Sequence, residues 1–143
     1  MAVTPKFNAA DVRKQLLERK QRLEQATLFR LQRVGETFIT NARSNDTYKD
    51  RTGNLRSSIG YVILKDGVQI GGALPGSKAE GVEKAEAMIR RLTGLDQVKG
   101  FILLVVAGMD YASAVEAKGY DVLTVSGIRA ASDLKKALEK LKV

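Results

Sequence analysis

Few side chains in this 143-residue chain could carry out chemistry, since it has no histidine and no cysteine. That removes the usual general base near neutral pH, serine–histidine relays, the commonest metal ligand, disulfides and thiolate zinc sites. Carboxylates, lysines and hydroxyls remain. Asp46, Asp50 and Asp110 could bind a divalent cation, but their spacing is not that of a calcium loop, and turn roles are expected instead. Ser57 and Ser58 have no activating base nearby. The run from Gly71-Gly72 to Gly76-Ser77-Lys78 lacks the Gly-Lys-Ser/Thr ending of a phosphate loop. Lys84, Arg90 and Arg91 sit among acidic neighbours and read as a solvated face. No catalytic residue, cofactor or metal is expected. An enzyme working with lysine or carboxylates is the third reading of the chain.

Two stretches stand out for interaction rather than catalysis. Tyr48-Lys-Asp-Arg-Thr-Gly-Asn-Leu-Arg-Ser-Ser-Ile-Gly-Tyr61 begins polar and turn-forming and runs into a strand. Arg51 and Arg56 flank its turn, where a planar guanidinium can hold a carboxylate bidentately, within the fold or across subunits. Gly53 permits a tight bend, with Thr52 or Asn54 as the cap of a short helix through Ser58, and Leu55 anchors the bend. About fifty residues on comes Gly108-Met-Asp-Tyr-Ala-Ser-Ala-Val-Glu-Ala-Lys-Gly-Tyr120. Here Asp110 can cap a helical turn, Tyr111 and Val115 can pack at i,i+4, and Glu116 projects on the side of Ala112. A pairing of Glu116 or Asp110 with Arg51 or Arg56 is expected.

The elements that must position these stretches follow from apolar periodicity. Residues 8–42 read as one long helix capped by Asn8 and Asp11. Val12, Leu16, Leu23, Leu31, Val34, Phe38 and Ala42 form one face, with Leu17, Ala26, Phe29 and Ile39 beside it. Gly35 costs about 1 kcal/mol there; a break near it into two helices is the alternative. A helix of this length spans on the order of 50 Å, more than a compact domain of this size, so part of it must project or lie on a neighbouring subunit.

Residues 43–58 form a polar, arginine-bearing connection. Ile59–Leu64 and Val68–Ala73 read as a hairpin about Asp66-Gly67, with Gly71-Gly72 weakening the second strand or marking a bulge. Residues 81–93 read as a helix with Val82, Ala85, Met88, Ile89 and Leu92 inward, stopped by Gly94. Phe101–Met109 reads as a buried strand, 112–118 as a helical turn and Val122–Val125 as a further strand. A C-terminal helix over 126–143 presents Ile128, Ala131, Leu134, Leu138 and Leu141. This makes a single α+β domain, 1–143: a long N-terminal helix packed on a small, mostly antiparallel sheet (59–125, with an inserted helix) and further short helices.

The net charge is +8. Residues 1–60 carry 12 Lys and Arg against 6 Asp and Glu, so most of the excess lies there. A basic surface attracts nucleic acid or acidic proteins. Candidate DNA-facing residues are Arg13, Lys14, Arg19, Lys20, Arg22, Arg30 and Arg33 on the first helix; a solvated helix face is the plainer account. No segment approaches the roughly 18 apolar residues of a membrane span, and the N-terminus lacks the apolar core of a signal peptide. The expectation is a soluble chain made in the cytoplasm.

At the two stretches the chain resembles the tail-completion or neck proteins of tailed bacteriophages, the family typified by the tenth gene product of lambdoid siphophages. The resemblance is carried first by Arg51, Thr52, Gly53, Leu55, Arg56 and Ser58. It is carried again by Gly108, Tyr111, Ala112, Val115, Glu116 and Gly119, in the same order and over roughly residues 8–125. Ala114 and the Ala117-Lys118-Gly119-Tyr120 ending depart from the family pattern, the helix near 81–93 resembles an insertion, and the segment from Ser126 on is lineage-specific. The resemblance implies a structural virion or prophage morphogenesis protein of the head–tail junction, without enzymatic activity. It implies a homo-oligomeric ring around the DNA channel, contacting a head-closure or connector protein and a tail terminator or tail tube. Arg51, Thr52, Gly53, Leu55, Arg56, Tyr111 and Glu116 would form the subunit or partner interface. Packaged DNA would be touched without base reading, and no membrane would be involved. The alternative is a small basic nucleic-acid-binding protein.

Overall fold

In a computed structural model the described residues are 2–44, 47–93 and 99–141. The expected helix end at Gly94 and the candidate cation ligand Asp46 lie outside them. The elements in chain order are α1 (Ala9–Arg43), α2 (Asn54–Ser57), β1 (Ile59–Lys65), β2 (Val68–Ala73), α3 (Ala79–Thr93), β3 (Phe101–Ala107), α4 (Ala112–Ala117) and α5 (Thr124–Glu139).

α1 is continuous over 35 residues. Asn8 accepts the Asp11 amide at 2.9 Å and the Asp11 carboxylate accepts the Asn8 amide at 3.4 Å, a reciprocal capping box. The helix passes through Gly35 unbroken, and the missing side chain there makes room for the Tyr61 ring: a Cβ on Gly35 would lie 2.5 Å from it. The Tyr61 hydroxyl donates to Glu36 at 2.9 Å. Burial, then that carboxylate, push the Tyr61 hydroxyl up to about 12.

The sheet is three-stranded in the order β2-β1-β3, antiparallel throughout. Asp66 and Gly67 both have positive φ (51° and 82°), as a tight I′ hairpin turn demands. Ile63 pairs with Gly71 but Leu64 with Gln69, so Ile70 bulges beside the glycine pair. The last turns of α1 (Leu31, Val34, Phe38, Ile39, Ala42) cover one face, meeting Tyr61 and Ile63. α3 covers the other with Ala85 and Ile89 against Val62, Leu64 and Val106. The fold is α+β, with the long helix on a small antiparallel sheet and further short helices around it.

Two expectations are corrected. Val122–Val125 is not a strand: Val122 is buried in the loop before α5, which starts at Thr124. Its backbone donors are occupied by the Glu116 carboxylate, leaving no ladder to join. The inward face of α5 is Ser126, Ala130, Leu134 and Ala137, whereas Ile128 and Leu138 are exposed. Small residues let α5 approach α1 closely, and that approach sets the helix rotation.

Residues 9–23 of α1 are exposed throughout. α5 packs on the following turns, where the Arg30 guanidinium donates through Nε to the Ala137 carbonyl at 3.1 Å. No helix among the described residues is long and apolar enough to cross a membrane.

Candidate functional site

The Arg51–Arg56 bend is built by Asp50. Its carboxylate accepts the amides of Gly53 (3.0 Å), Leu55 (3.4 Å) and Arg56 (2.8 Å), tying a left-handed Gly53 (φ 77°) to the first turn of α2. The helix therefore starts from Gly53 with no side-chain cap, and Asp50 supplies the acceptor that Thr52 or Asn54 was expected to supply. Thr52 Oγ1 accepts the Asn54 amide at 3.3 Å, and Asn54 donates to Glu80 at 2.7 Å. Leu55 is fully buried, which pins the bend to the core. The Arg56 guanidinium lies over the Tyr48 ring at 5.3 Å, and burial raises the Tyr48 hydroxyl.

The second stretch is fastened to the first through Ser58. Gly108 donates its amide to the Ser58 carbonyl at 3.1 Å, and the Met109 amide donates to Ser58 Oγ at 3.4 Å. Gly108 sits against the α3 backbone at Ala85, where a side chain would collide.

Both stretches then face one cleft of about 420 Å³. Leu55, Met109 and Val115 line it together with Tyr111, Arg51 and Thr52. Tyr111 is 41% exposed, and Arg51 and Thr52 are exposed at the rim. Fifty residues of separation in the chain thus close into one surface with an apolar lining and a polar edge.

The expected carboxylate–arginine pairing is replaced by other contacts. Asp110 takes Lys84 at 2.9 Å; that contact raises the lysine and lowers the carboxyl. Glu116 turns away from the bend. Its Oε1 accepts the amides of Val122 (3.1 Å), Leu123 (2.6 Å) and Thr124 (2.8 Å), and Oε2 accepts the Thr124 hydroxyl at 3.0 Å. Burial alone raises the Glu116 carboxyl, but these donors outweigh it and hold the group below the ordinary range. Glu116 is thus a remote cap for α5, and the Thr47 hydroxyl exchanges hydrogen bonds with the Asp121 backbone beside it.

The candidate DNA-facing cations divide. Arg13, Lys14, Arg19, Lys20 and Arg22 stand on the exposed half of α1, where Arg22 meets Glu18 at 3.9 Å. Arg30 is turned onto α5, and Arg33 lines a groove with Asp133 and Lys136. Asp50 takes the turn role expected of it, though neither it nor Tyr48 was placed among the interface residues. An Asp three residues before a turn glycine is a recognisable signal for the first.

Comparison with known proteins gives no match: no family model, curated protein or solved structure is significantly similar to this chain.

Proposed function

We propose that the chain is a structural phage or prophage morphogenesis protein, acting in tail completion or as a head–tail connector component in a ring around the DNA channel. The observation that supports this most is the joint cleft. The Arg-Thr-Gly-x-Leu-Arg bend and the Gly-x-x-Tyr-Ala-x-x-Val-Glu turn meet around Leu55, Met109, Tyr111 and Val115. The chemistry suits the grip of a neighbouring protein: an apolar patch, a half-exposed tyrosine, and arginine at the rim. A closed ring needs one surface that meets a different surface on the next copy, and the cleft supplies one such surface. In such a particle the chain neighbours head-closure or connector and tail-terminator or tail-tube proteins. It is localised in the virion after synthesis in the host cytoplasm.

Deleting the gene from a producing prophage tests the reading. Electron microscopy should then show filled heads and separate tails, with joined particles restored by the wild-type chain. Normal joined, infectious particles without it contradict the proposal.

A second reading, a basic nucleic-acid-binding protein, draws on the five exposed cations of the free half of α1. It requires duplex affinity that falls steeply with salt.

A further inference from the structure

The exposed half of α1 carries more than charge. Val12, Leu16, Arg19, Leu23 and Ala26 recur at alternating spacings of four and three, the a/d line of a coiled-coil seam. Val12, Leu16 and Leu23 are 40%, 63% and 39% exposed. The line continues into the α1–α5 contact. Leu141 shares a cavity of about 430 Å³ with Leu16, Leu23 and Ala26, and Arg30, next on the seam, donates to Ala137. α5 therefore covers the seam at its C-terminal end and leaves Val12 to Leu23 open.

The residues flanking the open seam are Arg13, Gln15, Lys20 and Arg22, none of them acidic, and Arg19 sits within it. Of the two acids of this half, Asp11 is engaged in the Asn8 capping box, and Glu18 meets Arg22 at 3.9 Å in an exposed i,i+4 contact that a partner carboxylate can replace. We infer that this half of α1 is a docking helix for an acidic amphipathic helix of a partner protein. Such a helix would set apolar residues against Val12, Leu16 and Leu23, with carboxylates against Arg13, Lys20 and Arg22 and one across from Arg19. A second copy of α1 is disfavoured, because it would bring cations against cations on both flanks. Duplex DNA would meet the cations but leave the three apolar side chains in water. A bilayer surface is disfavoured by the narrow apolar stripe with Arg19 in its middle. The inference holds whether or not the chain belongs to a phage particle.

The test uses the intact chain and a labelled synthetic helix of about four heptads, with Leu at a and d, one Glu in the seam, and Glu at every e and g position. A control peptide has Lys at those Glu positions. Fluorescence anisotropy at about 0.15 M salt should show the Glu peptide binding at least tenfold more tightly than the Lys peptide. Leu16→Glu should reduce binding at least tenfold, with unchanged far-UV circular dichroism because Leu16 is exposed. The double variant Lys20→Glu, Arg22→Glu should gain binding to the Lys peptide, a result that misfolding cannot produce. Equal binding of both peptides, or no loss with Leu16→Glu, overturns the inference. So does binding of duplex DNA or of phosphatidylserine vesicles that outcompetes the Glu peptide, or self-association that Leu16→Glu abolishes.

Discussion

Glu116 holds Leu123 by a 2.6 Å hydrogen bond from the Leu123 amide, the shortest of the three backbone contacts its carboxylate makes. One side chain thereby satisfies donors of the loop before α5 and of the first residue of the helix. Its position eight residues before Thr124 makes it a cap supplied from another element.

Replacing Glu116 with Ala should lower stability by about 1–2 kcal/mol, the usual loss for a helix cap. Urea unfolding measures it, and Glu116→Gln, which keeps an acceptor, should lose less. The folded-state pKa is depressed from 4.5. The contribution is therefore complete above that value and is lost as pH falls below it through the folded pKa. The difference between wild type and Glu116→Ala should shrink below about pH 4 and be flat from pH 6 to 8.

Asp50→Ala should cost about 2 kcal/mol, because three amides of the bend lose a charged acceptor. Hydrogen exchange at Gly53, Leu55 and Arg56 should accelerate well before that at β1. Unchanged exchange there would show that Asp50 does not hold the bend.

Gly35→Ala sets two effects against each other. Alanine favours a helix by about 1 kcal/mol over glycine. Its Cβ would meet the buried Tyr61 ring at 2.5 Å, and overpacking costs about 1–3 kcal/mol. Packing should win: the melting temperature should fall, although a peptide covering α1 alone should gain helicity.

Arg51→Glu and Tyr111→Ala act on exposed side chains at the rim of the cleft. Each should change stability by less than about 0.5 kcal/mol. Each should nonetheless fail to restore joined particles in a deletion host, separating assembly from folding.

Much of this fold was legible from periodicity. The 3.6-residue pattern and the Asn8 cap gave α1 almost to its ends, and Asp66-Gly67 gave the hairpin. Local rules failed where tertiary partners decide. The β-branched Val122 and Val125 suggested a strand, but Glu116 occupies the intervening backbone donors. On α5 the apolar residues pointed correctly to Leu134 but wrongly to Ile128 and Leu138, because close packing on α1 selects Ser126, Ala130 and Ala137. At the site, the bend and the turn were both visible as motifs. Their meeting was expected through an arginine–carboxylate pair, whereas the link that joins them is Ser58 hydrogen-bonding to Gly108 and Met109, which no motif marks. Within the chain the expected carboxylate partners are engaged elsewhere, Glu116 by the backbone donors before α5 and Asp110 by Lys84.

The proposed role sets another particle protein against this cleft, with Tyr111 at the contact. Purified particles carrying a photo-cross-linking residue in place of Tyr111 test it most directly, with the same residue at exposed Val68 as control. A covalent adduct to a neighbouring particle protein is expected from position 111 and none from 68. Particles that lack the polypeptide, or an adduct at 68 with none at 111, would contradict it.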